Sequence, residues 1–322
     1  MTCRSRTRIA VGILGGGLLL AGASTRRAIS RWKNNPDPLD GTAPRFPAGD
    51  AARVATDDGA EIHTVTAGVG PRIVLVHGLT SNIDDLGPIA KLLIADGFSV
   101  TGLDQRGHGD SSVGADGFGA SRQAADLAIV LNELGIDDAV VAGHSMGGMT
   151  SLMLAIDGPA DALRGISGLV VIASPAALAS GIEQTIARFG VPPMPTWMTS
   201  RPSRLRVGAR LMAFGASPSL FMIDESLASC LRCPEATRLG AMLGLAGYDV
   251  TDRLARIDLP VLVIAGGSDK MVSMANSGAV ATHTPDARLI DYPTAGHMLI
   301  WERHQELATE IASFARSVQS TS

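Results

Sequence analysis

A chain of 322 residues exceeds the size at which single cores stop growing, roughly 250 to 300 residues, so it allows one large domain with an insertion or two ordinary domains, and one core plus an appendage is expected. Hydrophobic residues make up 46% and charged residues 18%, a globular composition that excludes a disordered chain. The net charge is −4, yet the first 33 residues hold seven basic side chains and no acidic one, leaving 20 basic against 31 acidic residues in a body too acidic to suit nucleic acid as a partner.

In chain order, residues 1–33 come first. The uncharged, mostly apolar run from Ile9 to Ala23 lies between two arginine clusters. It is short for a spanning helix, which needs about 20 residues, and matches the apolar region of a secretory signal. Ala21-Gly22-Ala23 resembles a small-residue cleavage site, whereas Arg26 and Arg27 directly behind it resist translocation. A cleaved signal, an uncleaved anchor and a loosely held apolar helix remain open, with membrane attachment through residues 9–23 the favoured expectation. Residues 34–51, with four prolines, read as a linker.

From residue 52 the pattern alternates. "EIHTVTA" and "RIVLVHG" are strand candidates, followed by "IAKLLIADG" as helix, "FSVTGLD" as strand, "SRQAADLAIVLNELG" as helix, "DAVVAGHS" as strand and "MGGMTSLMLAID" as helix. "GLVVIAS", "PVLVIAGGSD" and "ARLIDYP" supply further strands, and the amphipathic "RHQELATEIASFARSV" closes the chain. Such alternation predicts a mainly parallel sheet flanked by helices, with ligands bound beyond the carboxyl ends of the strands. The core is expected over residues 52–174 and 251–317. Residues 175–250 break the rhythm with "VPPMP", helix-like stretches and Met194, Met198, Met212, Met222 and Met242, and read as a helical cap.

"GHSMGG" follows a buried strand and precedes a helix, the context in which G-x-S-x-G is a nucleophile elbow. Gly143 and Gly147 let neighbouring backbone pass close by, and Ser145 is expected to project its hydroxyl at the positive end of the following helix. A serine hydroxyl is a weak nucleophile and needs a base, which in turn needs an orienting group. Asp269 in "IAGGSD" and His297 in "TAGH" both fall at carboxyl ends of strands, in the order serine, acid, histidine. Asp249 and Asp252 are possible substitutes for Asp269.

With "HGLTSN" at 77–82 and "DQRGHGDS" at 104–111, these motifs resemble the α/β-hydrolase family, in its capped, esterase-like and lipase-like branch, over residues 52–317. The resemblance implies the α/β-hydrolase fold with a helical cap insertion. It also implies Ser145 as nucleophile, His297 as general base and then acid, and Asp269 as the carboxylate that fixes the imidazole tautomer. The oxyanion hole is implied to be the backbone N–H groups of Leu79 and Met146, with Gly78 as the other candidate for the first donor.

His77, His108 and His144 are expected to be structural, and Arg106 to pair with a carboxylate. Cys230 and Cys233, in "CLRC", have no second pair and read as cap residues, a disulfide between them staying open. The sequence holds no Rossmann fingerprint, P-loop or H-E-x-x-H, so cofactor-free, metal-free hydrolysis is the economical expectation. The substrate class expected is a small, lipophilic carboxylic ester such as a monoacylglycerol. C–C bond hydrolysis, acyl transfer, perhydrolysis on the same triad, and a low-turnover ligand-binding module are the alternatives.

Overall fold

Eight strands form a single sheet in the order β1-β2-β4-β3-β5-β6-β7-β8. They are β1 (Asp50–Ala55), β2 (Glu61–Ala67), β3 (Arg72–Val76), β4 (Ser99–Leu103), β5 (Ala139–His144), β6 (Ile166–Ile172), β7 (Val261–Gly266) and β8 (Ala287–Tyr292). The computed structural model describes residues 27–178 and 202–319. β2 runs antiparallel to both β1 and β4, and every other pairing is parallel.

The central strands are almost wholly buried, β5 and β7 along their whole length, as parallel strands covered on both faces must be. Helices α1 (27–33), α2 (Gly87–Ala95), α3 (Ala120–Glu133), α4 (Met146–Asp157) and α5 (Ala160–Arg164) precede the insertion. α3 and α4 cover one face of the sheet, where Val74, Val141 and Val171 pack with Leu127 and Leu152. α2 and the last helix cover the other, where Leu75, Val140 and Val170 meet Leu93 and Ile311.

β1 is an element the periodicity does not announce. "DAARVA" buries only Val54, and the strand exists because the Thr56–Ala60 turn, with Gly59 at φ +85°, folds it back on β2. It begins at Asp50, so the strand starts inside the stretch read as linker. Part of that stretch is docked against the body. Leu39 is buried, Asn35 donates to the Pro218 carbonyl at 2.8 Å, and Asp37 accepts from Ser219 at 3.0 Å. Proline-rich sequence predicts extended backbone, and extended backbone packs as well as it spans once apolar side chains and carboxylates meet partners.

Within the insertion the described residues form α6 (Pro202–Ala213), α7 (Leu220–Arg232) and α8 (Glu235–Gly244). Met194, Met198 and "VPPMP" lie outside the described residues. Of the other methionines, Met222 is core and Met212 is exposed. Cys230 and Cys233 are free thiols. The chain ends with α9 (Met274–His283), α10 (Leu299–Glu302) and α11 (His304–Gln319). Residues 9–23 also lie outside the described residues, among which no helix is long and apolar enough to cross a membrane.

Candidate active site

Ser145 sits between β5 and α4 with φ +53° and ψ −116°, a left-handed conformation that costs a non-glycine residue of order 1–3 kcal/mol. The neighbours hold it there. Its N–H donates to the Ile172 carbonyl at 2.9 Å, and its carbonyl accepts from the Ser174 hydroxyl at 2.8 Å. A Cβ on Gly143 would overlap the Gly147 backbone, and one on Gly147 would overlap the Val76 carbonyl. The glycines on either side of the serine are therefore demanded by the close passage of β3, β5 and α4.

The loops after β7 and β8 complete the arrangement. His297 Nε2 lies 3.0 Å from Ser145 Oγ, and its Nδ1 lies 2.8 Å from Asp269 Oδ2. A carboxylate only accepts, so Nδ1 carries the proton and Nε2 offers its lone pair to the serine hydroxyl. The Asp269 side chain is 1% exposed, and its other oxygen accepts the N–H groups of Met271 at 2.7 Å and Val272 at 2.9 Å. These three bonds hold the carboxylate in one orientation. Asp249 instead caps Thr251, and His304 and His283 bond to helix carbonyls of their own neighbourhoods.

The loop after β3 passes over the elbow. A Cβ on Gly78 would come within 3.2 Å of the Ser145 Cβ, so the Gly78–Leu79 backbone borders the serine, as Met146 does from the start of α4. Two buried histidines shape this loop. His77 donates from Nδ1 to the Gly78 carbonyl at 2.7 Å and accepts the Gln105 N–H on Nε2 at 2.9 Å. His108 accepts the N–H of Thr80, a residue at φ +63°, at 3.2 Å and donates to the Arg106 carbonyl at 3.0 Å. Burial pushes both imidazoles down to about 4, so they stay neutral and keep these donor and acceptor roles at neutral pH.

Arg106 has no exposed side-chain surface and clasps Asp126 at 2.5 and 2.8 Å, Asp58 at 3.1 and 3.2 Å, and the Gly117 carbonyl at 2.6 Å. These bonds hold the Asp58 carboxyl well below the usual carboxylate range. His63, Asp104 and Asp110 are the one group of potential metal ligands among the described residues. Asp104 already receives Ile83 N–H at 2.9 Å, Asp110 N–H at 3.0 Å and His63 at 2.9 Å, so the group works as a brace between β2 and the "DQRGHGDS" loop.

Three connections are invisible in the motifs. His144 donates from Nε2 to the His297 carbonyl at 2.9 Å. Buried Asp85 accepts the hydroxyls of Ser81 at 2.6 Å and of Ser229 on α7 at 2.7 Å, tying the loop that follows Leu79 to the cap. Glu302, five residues after His297, bonds to the backbone of Gly296. Only the acid shortly after the histidine, just ahead of the amphipathic α11, is a signal that sequence could have offered.

The family model described as serine aminopeptidase, S33, matches residues 69–304. A non-heme haloperoxidase of Rhodococcus erythropolis is 27% identical over 82% of this chain and 99% of its own, and a bifunctional esterase/perhydrolase of Acinetobacter calcoaceticus is 24% identical over the same shares. An esterase from Exiguobacterium antarcticum superposes with a TM-score of 0.72 at 19% identity, over 83% of this chain and all of its own.

Proposed function

The chain belongs to this family, whose fold is that of the α/β hydrolases, and on that premise we propose that it is a serine hydrolase that cleaves carboxylic esters through a covalent acyl-enzyme. The observation that carries the proposal is the continuous relay from Ser145 Oγ to His297 at 3.0 Å and from His297 to Asp269 at 2.8 Å. As the serine oxygen attacks the ester carbonyl, its proton passes to Nε2 of His297, and the imidazolium that forms is stabilised by Asp269. The negative charge on the tetrahedral oxygen falls to the backbone N–H groups of Leu79 and Met146, at the N-terminal end of α4. Collapse expels the alcohol, which takes the proton from Nε2. Water then repeats the sequence on the acyl-serine and releases the acid.

The preference for a lipophilic acyl ester is supported by the apolar, half-buried Leu79 beside the serine, which contributes backbone to the chemistry, whereas the Met146 side chain is packed into the core. The basic, apolar N-terminal stretch supports membrane attachment or export of this domain. Perhydrolysis is a second reading, supported by similarity to the esterase/perhydrolase of Acinetobacter calcoaceticus. It uses the same acyl-enzyme with hydrogen peroxide in place of water.

Intact mass spectrometry after treatment with a fluorophosphonate, alongside turnover of p-nitrophenyl esters of graded chain length, tests the proposal in wild type and Ser145→Ala. One adduct at Ser145, with turnover abolished in the variant, is the expected result. An unlabelled serine or surviving turnover overturns it and leaves a ligand-binding module on a hydrolase scaffold. Peracid release in the presence of hydrogen peroxide decides the second reading.

A further inference from the structure

The loop that bears His297 is bonded as much to the cap as to the sheet. Between α6 and α7 the cap chain returns to the core as residues 213–216 and lies along residues 294–298. Ala216 N–H donates to the Thr294 carbonyl and Met298 N–H donates to the Ala213 carbonyl, each at 2.8 Å. Approach is so close that a Cβ on Gly215 would overlap the Thr294 carbonyl, and one on Gly296 would overlap the Phe214–Gly215 backbone. Two segments 80 residues apart in sequence thus run as one backbone pair beside the imidazole.

Glu302 closes this pair with both carboxylate oxygens. Oε1 accepts the Gly296 N–H and Oε2 accepts the Gly215 N–H, each at 2.9 Å. From the other side Arg210, on α6, donates to the carbonyls of Phe214 at 3.0 Å and Ala216 at 3.1 Å. Around the histidine, three successive residues are anchored: Gly296 by Glu302, His297 through its carbonyl by His144, and Met298 by Ala213. Ionised acceptors make the stronger hydrogen bonds, and among the described residues Glu302 alone spans both segments with one side chain.

We propose that Glu302 is a positioning residue for His297, binding the histidine loop and cap residues 213–216 into one unit so that the alignment of Nε2 on Ser145 is set from the cap. The proposal rests on the reading of Ser145, His297 and Asp269 as a catalytic relay. Loosening either segment lets the imidazole drift from the serine, while Ser145 and the Gly78–Leu79 loop keep their own bonds to Ile172, Ser174 and His77. A misplacement of about 1 Å costs up to about 10²-fold in rate, so the loss falls on kcat rather than KM.

Glu302→Gln offers one acceptor where the carboxylate has two, and directs its NH₂ at the remaining N–H. Steady-state turnover of a p-nitrophenyl ester, the rate of fluorophosphonate labelling and thermal unfolding are measured on wild type, Glu302→Gln and Arg210→Gln. Expected is a drop of about 10-fold to 10²-fold in kcat for Glu302→Gln, with labelling slowed in parallel, KM within about twofold and the protein folded at the assay temperature. Arg210→Gln loses rate in the same manner but less. The low-field proton signal of His297 Nδ1–H, identified by its loss in His297→Ala, should broaden or shift in Glu302→Gln.

Folded Glu302→Gln with wild-type kcat and an unchanged proton signal overturns the proposal, as does a loss confined to KM. If Glu302→Gln fails to fold, an Arg210→Gln protein with unaltered kcat and labelling rate overturns it. Failure of the relay itself would show separately, as wild-type protein that is not labelled at Ser145.

Discussion

The carbonyl of His297 accepts a 2.9 Å hydrogen bond from Nε2 of His144, the residue immediately before Ser145. The base is therefore held by the same strand end that presents the hydroxyl it must deprotonate. A carbonyl only accepts, so His144 carries its proton on Nε2, and its Nδ1 is buried without a partner among the described residues. Burial pushes this imidazole down to about 3, first through lost hydration and then through the adjacent His297, so it remains a neutral donor across the working pH range. His144→Phe keeps the volume and removes the donor. About a 10-fold loss of kcat with a small change in melting temperature is expected from ester kinetics and thermal unfolding of that variant.

Asp269→Asn separates orientation from structure. The amide can still accept from Met271 and Val272 on its oxygen, but it then presents NH₂ to Nδ1 and favours the tautomer with the proton on Nε2, facing Ser145. Turnover should fall by about 10⁴-fold while the fold is retained. Stopped-flow or steady-state ester hydrolysis checks the rate, and circular dichroism checks the fold. A loss under 10-fold would mean that Asp269 does not govern the imidazole.

Glycine at 147 and at 278 should respond oppositely to alanine. Position 147 has the Val76 carbonyl where a Cβ would go, so Gly147→Ala should cost about 3 kcal/mol or more, or prevent folding. Gly278 lies inside α9 with open space around it, and Gly278→Ala should raise stability by about 0.5–1 kcal/mol. Urea unfolding of the two variants reads both signs.

His108 makes stability depend on acidity. Its folded pKa is about 4 against 6.5 for the free side chain, so the unfolded chain binds the proton first. The stability it contributes is present above pH 6.5 and is lost as the pH falls from there toward 4. His108→Gln removes this share. On acidification from pH 7 to pH 5 the variant should lose about 2 kcal/mol less stability than the wild type, measured by urea unfolding at each pH. An equal loss in the two proteins would show that His108 is not held neutral by its surroundings.

Arg106 is the most enclosed charge in the scaffold. Arg106→Met leaves Asp126 and Asp58 without their shared cation and should destabilise the fold by about 3–5 kcal/mol, read by chemical unfolding.

Much of the architecture was legible in chain order because its signals are local. A buried parallel strand is a short apolar run, as in "AVVA" and "VLVIA", and a strand-to-helix elbow is a serine flanked by glycine, as in "GHSMG". The residues selected at strand ends, Ser145, Asp269 and His297, are brought into contact because every parallel strand ends on the same side of the sheet. β1 escaped this reading, since an exposed edge strand such as "DAARVA" has almost no apolar alternation to detect.

Side-chain roles that depend on distant backbone were settled only by folding. Nothing near Glu302 in sequence indicates that Gly215 will lie against Gly296, or that Asp85 will meet Ser229 across 144 residues. The docking of Asn35, Asp37 and Leu39 against the body likewise follows from surfaces that exist only once the sheet and cap have formed. Local pattern encodes which segments become strands and helices, because periodicity and turn chemistry act over a few residues. Which hydrogen-bond partner satisfies a buried polar group is a property of the assembled interior, where every donor and acceptor competes for whatever the fold has brought within reach.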